Sequence, residues 1–191
     1  MARIGFILGD MFEESEFHEP YEAVKQAGHE AIVIGVKPDQ EVRGKNGQDI
    51  VKVDQAIMAI DAKKLDALVI PGGYSPDHLR TNHAMVTLVR LISESAKPLA
   101  AICHGPSIFV DADILKGRTV TSAQSIKADL VNAGARWVDQ EISTDDNILT
   151  SRQPSDLPKF CAKLLEMVSD RVGNVEKQTR ARNTGESLSE H

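Results

Sequence analysis

The sequence predicts an α/β domain: a mostly parallel sheet covered by helices on both faces. Three observations predict it. Short apolar runs recur between amphipathic stretches, which is how a parallel sheet with covering helices appears in a linear sequence. At 191 residues, 41% of them hydrophobic, the chain has enough apolar material for one sizeable core. No internal repeat and no long linker divides it, so one domain is preferred over two.

In chain order, residues 3–8 read as the first strand. Residues 18–27 follow as a helix, with Pro20 in its first turn and Gly28 at its C-terminal cap position. Residues 30–36 form the second strand, Gly44-Lys-Asn-Gly47 is turn chemistry, and residues 48–53 alternate as a half-buried strand does. Residues 65–70 are a buried strand running into Pro71-Gly72-Gly73. Residues 83–95 carry Val86, Leu88, Val89 and Ile92 at helical spacing, and residues 99–102 are the next strand. Beyond it come a helix over 107–115, a strand over 118–122, and a helix over 125–132 that ends at Gly134. Residues 137–151 hold two short strands around Thr144-Asp-Asp-Asn147, and a last helix spans about 155–171 with Ser155 as its N-cap. The expected architecture is a single-domain, flavodoxin-like sandwich over residues 1–172. The tail, 173–191, has only Val175, Ala181 and Leu188 as apolar residues. Such a segment is expected to be disordered, or ordered only by a neighbouring subunit.

Composition excludes several functions. The 22 Lys+Arg against 28 Asp+Glu give a formal charge of −6, which argues against a nucleic-acid binder tracking phosphates with a basic face. No apolar run approaches the ~18–20 residues that span a bilayer. The opening residues, with Arg3 as one basic residue and an apolar stretch broken by Gly9 and Asp10, read as a strand rather than a secretory leader. Two cysteines, Cys103 and Cys161, make no disulfide framework, so a cytoplasmic setting with reduced thiols is expected. Without H-x-x-x-H, H-E-x-x-H, G-x-G-x-x-G or Walker A patterns, neither a zinc site nor a nucleotide cofactor is expected.

The stretch Lys97-Pro-Leu-Ala-Ala-Ile-Cys-His-Gly-Pro106 carries the most chemical information. A buried strand runs directly into Cys103 and a helix opens a few residues later, the layout of a nucleophile elbow at the carboxyl edge of a sheet. A thiol there meets the positive end of a helix dipole, which favours thiolate; Gly105 permits close backbone approach and Pro106 suits a first helical turn. Cys103 therefore reads either as a reactive nucleophile or as a small core hydrophobe. Cys161 lies on a stripe with Phe160, Leu164, Leu165 and Val168 and reads as packing. Two other strand ends share that edge. Asp10, Glu13, Glu14 and Glu16 crowd the first, either as a solvated loop with helix-starting acids or as part of a site. Gly72 and Gly73 follow the second, either as a plain turn or as a backbone facing an oxyanion. The histidines His18, His29, His78 and His83 read as surface, capping or cleft-side residues.

Together, AICHGP (101–106), PGGYSPDHLR (71–80), FEESEFHEP (12–20), VTS (120–122) and GARWVD (134–139) resemble the PfpI/DJ-1 superfamily. The resemblance is to its PfpI-like branch, labelled intracellular protease, general stress protein 18 or deglycase, and runs along about residues 2–170. It implies Cys103 as nucleophile and Glu16 as the protonated glutamate hydrogen-bonding the sulfur. Glu13 matches a second acid near the site. Gly73, with Gly72 and the backbone at His104 and Gly105, would form the oxyanion and binding region. His104 matches a histidine that pairs with an acid of a neighbouring subunit in PfpI-like oligomers, and Asp77 occupies that acid's position, where the branch often has Glu. The site would then be complete only in a dimer or larger assembly, up to a hexamer. Class I glutamine amidotransferases, which share the fold, draw their histidine from well after the cysteine; here only the terminal His191 follows His104.

The functional expectation is a cofactor-free cysteine enzyme of the stress response. It would act on small reactive carbonyls or on glycated amines and thiols, by deglycase or glyoxalase-type chemistry. Two alternatives accompany it: an intracellular cysteine peptidase acting on peptides, and a non-catalytic redox sensor or chaperone whose Cys103 is selectively oxidised.

Overall fold

A computed structural model describes residues 1–184. The elements in chain order are β1 (Arg3–Ile7), α1 (Glu14–Gln26), β2 (Glu30–Gly35), β3 (Glu41–Arg43), β4 (Ile50–Lys52), β5 (Gln55–Ala56), β6 (Ala67–Ile70), α2 (Ser75–Leu79), α3 (His83–Glu94), β7 (Leu99–Ile102), α4 (Ser107–Asp111), β8 (Thr119–Val120), α5 (Lys127–Asn132), β9 (Arg136–Trp137), β10 (Ile142–Asp145), β11 (Ile148–Ser151) and α6 (Leu157–Thr184). Seven strands form one sheet in the order β10-β11-β7-β6-β1-β2-β5. Every pairing in it is parallel except the β10–β11 hairpin.

The apolar runs are continuous because these strands are buried on both faces, and the period of two splits each run between two cores. Ile4 and Phe6 of β1, Ala67 and Val69 of β6, Ala100 and Ile102 of β7 and Leu149 of β11 face one core. There they meet Phe17 and Val24 of α1 and the stripe Leu157, Phe160, Leu164 and Val168 of α6. Ile7, Leu68, Ile70, Leu99, Ala101 and Ile148 face the other, under Met85, Leu88, Val89 and Ile92 of α3, Phe109 of α4 and Leu130 of α5. The predicted α/β sandwich, mostly parallel and covered on both faces, is the fold observed.

Several boundaries differ from the sequence expectation. Helix α1 begins at Glu14 rather than 18, its first-turn acids Glu14 and Glu16 suiting the dipole and Phe17 already buried. Pro20 is therefore inside the helix rather than in its first turn, and the Glu16 carbonyl loses its i+4 donor. The expected strand 118–122 shrinks to β8, which pairs with β9 outside the main sheet. Side chains replace the missing ladder: Thr119 N–H donates to Asp145 at 2.6 Å and Thr121 N–H to Thr150 Oγ1 at 2.9 Å. Helix α4 stops at Asp111 because the chain turns at Asp113, whose φ is 55°. Ser155 does not cap α6; it lies in a single 3-10 turn, Pro154–Asp156, and accepts a hydrogen bond from Gln153.

The largest difference is at the C-terminus. The segment from 173, expected to be disordered, is helical as far as Thr184. Its Lys, Gln, Arg and Ala residues are good helix formers, and they extend a helix already nucleated by its packed stripe. The rest of that tail, 185–191, lies outside the described residues.

At the amino edge of the sheet, the buried Lys97 donates to the Ala62, Lys63 and Leu65 carbonyls at 2.8, 3.1 and 2.6 Å. Burial lowers its pKa. Among the described residues no helix is long and apolar enough to cross a membrane.

Val172 is the last described residue packed against either core. Cutting the chain after it is therefore expected to change the unfolding temperature by less than about 3 °C. Phe160→Ala, by contrast, is expected to cost about 3–5 kcal/mol. Thermal and urea unfolding followed by circular dichroism measure both.

Candidate active site

Cys103 stands one residue beyond β7, at φ 60°. A non-glycine residue there costs roughly 1–2 kcal/mol and persists only when its surroundings over-determine it. They do: Cys103 N–H donates to the Ser151 carbonyl at 3.0 Å, and its own carbonyl accepts from Ala123 at 2.9 Å. Gly105 N–H returns to the Ile102 carbonyl at 2.8 Å, closing the turn before α4 starts. This is the sharp strand-to-helix turn of a nucleophile elbow.

The ends of β1 and β6 converge on the same place. Phe17, fully packed against Phe6 and Phe12, anchors the first turn of α1 and so sets the neighbouring Glu16 over the sheet edge. Glu16 is completely buried, and Gly72 N–H donates to its Oε2 at 2.8 Å. A side chain at Gly72 would sit 2.5 Å from that oxygen and 2.8 Å from the Cys103 Cβ, so only glycine admits this approach. Gly73, at φ 73°, bridges to Phe12 and leaves no room for a Cβ against the Met11 carbonyl. The backbone N–H groups of Gly73 and His104 lie near enough to the Cys103 sulfur to favour its negative charge.

Burial is the main cause of the site's electrostatics. It pushes the Glu16 carboxyl up to about 7; the Gly72 hydrogen bond opposes this and the nearby charge of Glu13 adds to it. Burial likewise pushes the Cys103 thiol up to about 12, with the Glu16 charge and its hydrogen bond next, against the two backbone amides. The thiolate expected from a helix dipole is thus overruled, because α4 is a five-residue helix and desolvation outweighs its pull. Above pH 7 the Glu16–Cys103 pair holds one proton and one negative charge, the proton on the sulfur and the charge on Glu16.

His104 Nδ1 lies 3.2 Å from the Cys103 sulfur, and its Nε2 lies 2.9 Å from the Ser125 hydroxyl. Ser125 was not singled out from the sequence. Asp77 is not brought to this site within one chain: its carboxylate is 57% exposed on α2, 3.9 Å from Arg80. Glu13 pairs with Lys45 at the edge of the site. The other acids of that loop tie down the β3–β4 hairpin, Asp10 accepting from Arg43 N–H at 2.9 Å and Glu14 from Asn46 N–H at 2.8 Å. His18 pairs with Asp49, and His29 accepts from Ala2 N–H. Cys161 packs against the α1–α6 core as expected, and burial pushes its thiol up to about 11.

Cys103 opens into a cleft of about 470 Å³ whose walls include Gln124, Trp137, Asp139, Arg152 and Gln153. None of these was a sequence candidate. Register was the signal that pointed to Arg152: Ser151 of β11 pairs with Ile102 of β7, so Arg152 falls beside Cys103. A larger cavity, about 1100 Å³, lies at the opposite edge of the sheet, between the entries to β7 and β11 and the outer part of α6. It contains none of the residues above. Among the described residues, no three His, Cys, Asp or Glu side chains are grouped to hold a metal ion.

Fold and site define an α/β protein with a half-buried cysteine on a nucleophile elbow beside a buried glutamate. Residues 2–167 match the DJ-1/PfpI family, and the chain belongs to that family. It is 42% identical over 166 residues to a Bacillus subtilis protein named "Putative cysteine protease YraA", covering 87% of this chain and 98% of that one. It is 41% identical over 167 residues to protein/nucleic acid deglycase 2 of Escherichia coli, covering 87% and 97%. Among solved structures it resembles Drosophila melanogaster DJ-1beta, with a TM-score of 0.81 at 26% identity over 94% of this chain and 98% of that one. It also resembles the DJ-1/ThiJ/PfpI-like part of a two-domain Anabaena variabilis protein, with a TM-score of 0.87 at 34% identity over 88% of this chain and 48% of that one.

The folded protein holds the Glu16 proton up to about pH 7, whereas an unfolded carboxyl releases it near 4.5. Stability from this group is thus fully present below pH 4.5 and is lost as pH rises to 7, by about 3 kcal/mol. Glu16→Gln should remove this loss, so urea unfolding between pH 4.5 and 7.5 should decline less steeply in the variant than in the wild type.

Proposed function

We propose that this chain is a hydrolase that uses Cys103 as a nucleophile on reactive carbonyl compounds or on their adducts with amines and thiols. The observation that carries the reading is the fully buried Glu16 carboxyl set beside Cys103 on its elbow, so close that a Cβ at Gly72 would lie 2.5 Å from Glu16 Oε2 and 2.8 Å from the Cys103 Cβ. As the sulfur attacks a carbonyl carbon, its proton passes to Glu16, and the sulfur–carbon bond forms as the carbonyl π pair moves onto oxygen. The backbone N–H groups of Gly73 and His104, which favour negative charge beside the sulfur, would receive that oxyanion. With a 2-oxoaldehyde, Glu16 first returns its proton to the oxyanion; it then takes the proton of the former aldehyde carbon and delivers it to the neighbouring carbon, the hydroxyl proton passing to that carbon's oxygen, which leaves a thioester. Water releases it as a 2-hydroxy acid, the sum being oxoaldehyde plus water. His104, 3.2 Å from the sulfur, is placed to steer the proton traffic. The name of the Escherichia coli relative supports glycated substrates.

Asp77 enters this reading as an acid offered to the His104 of a second copy, because its carboxylate is 57% exposed and, among the described residues, is paired with Arg80 at 3.9 Å. To reach the far ring nitrogen it must share or displace Ser125. The Cys103–His104 contact and the name of the Bacillus relative favour a second reading, peptide hydrolysis. Cys103-dependent cleavage of a fluorogenic peptide in the absence of carbonyl turnover would select it.

Cys103→Ala is expected to lower methylglyoxal turnover, assayed in amine-free buffer, by at least about a thousandfold with an unchanged circular dichroism spectrum. In the wild type kcat/KM should rise with pH through an apparent value near 7 as Glu16 becomes able to accept the proton, and Glu16→Gln should abolish that rise. Equal turnover by wild type and Cys103→Ala would overturn the nucleophile.

A further inference from the structure

Arg152 stands one residue beyond β11 as Cys103 stands one residue beyond β7, and both line the same cleft. Its guanidinium is held by two carboxylates of opposite character. Asp156, 3% exposed, takes one edge at two points, accepting from Nε at 2.9 Å and Nη2 at 3.2 Å. Asp139, 68% exposed, accepts from Nη1 at 2.6 Å. The buried carboxylate alone neutralises the cation and fixes its plane. The exposed one adds a second negative charge to a guanidinium already matched, and such pairs contribute little in contact with water. Asp139 is the replaceable partner, and what replaces it must be planar, singly anionic and an acceptor of N–H bonds.

We propose that Arg152 is a carboxylate-binding subsite beside the nucleophile. A substrate carboxylate takes the place of Asp139 at Nη1 while Asp156 keeps the far edge. The preferred substrates are then small carbonyl compounds or adducts that carry a carboxylate. The exchange puts one planar monoanion in place of another at Nη1, while Asp139, 68% exposed, turns to water. A phosphate dianion is a poorer fit, because it brings a second negative charge and a tetrahedral group to a contact made by one planar monoanion. Trp137, its indole N–H donating to Ser122 Oγ at 3.0 Å, gives the cleft an apolar wall for the carbon chain. The subsite rests on the preceding reading only for the identity of the reacting group; the carboxylate contact needs no reaction at Cys103.

The test uses the full chain and the fluorescence of Trp137, its single tryptophan. Wild type is titrated with racemic lactate and with propane-1,2-diol, which share a skeleton, differ in the carboxylate and offer Cys103 no electrophile. Lactate is expected to give a saturable change at concentrations at least about tenfold below the diol. Arg152→Gln should lose that preference, but it also strands a buried Asp156, so Asp139→Asn is measured beside it. Removing the exposed competitor should tighten lactate binding several-fold in a variant that keeps Arg152 and Asp156 paired. Equal responses to lactate and diol in wild type, or lactate binding that is unchanged or weaker in Asp139→Asn, overturns the subsite. Methylglyoxal turnover by wild type and Cys103→Ala is run alongside. Lactate selectivity without Cys103-dependent turnover removes the carbonyl-hydrolase reading and leaves the subsite, while the reverse removes the subsite alone.

Discussion

Hiding one carboxyl group, that of Glu16, where three strand ends meet is the constraint around which the rest of the molecule is arranged. A carboxylate with no water around it is costly unless it is neutralised or hydrogen-bonded. The fold answers with one backbone donor, Gly72, and with a carboxyl pushed up to about 7. Each answer imposes a further demand. Gly72 can carry no side chain, Phe17 must hold the start of α1 against Phe6 and Phe12, and Cys103 must accept a left-handed backbone to bring its sulfur within reach.

On the proposed reading, the same arrangement would let a thiol pushed up to about 12 act as a nucleophile. Burial penalises every charge in the site, so an isolated thiolate is unfavourable, but moving a proton between two buried partners leaves the total charge unchanged. What the environment opposes is adding a second charge, not relocating the first. The nearby backbone amides of Gly73 and His104 favour negative charge at the same place.

Legibility from sequence followed the range of the interactions. The strands were readable because burial on both faces leaves an unbroken apolar run such as Leu-Ala-Ala-Ile, and Cys103 was readable because strand, cysteine and helix start are contiguous. The strand ends carrying Glu16 and Gly73 could be put on the same edge from the sequence, but only the resemblance singled out Glu16, since nothing local says which acid of that loop is buried beside the sulfur. The cleft wall was not recovered at all. Trp137 and Arg152 reach Cys103 through β8–β9 pairing and through the β11–β7 register, which depend on strands too short to show a period. Ser125 meets His104 only because Ala123 bonds the Cys103 carbonyl and turns the following residues back. Helix α6 outran its expected end because composition was weighed for burial, whereas a helix once started needs only propensity to continue.

Both borders of the main sheet are short. On one side the sheet ends in β5, two residues long; on the other it ends in β10, along which Ser143 donates to the Thr119 carbonyl and Asp145 accepts from the Thr119 N–H. Neither border presents a long row of vacant backbone donors and acceptors of the kind that templates strand addition. Sheet growth from one molecule into the next therefore has only short edges to start from, and both lie away from the β1, β6 and β7 ends that hold Cys103.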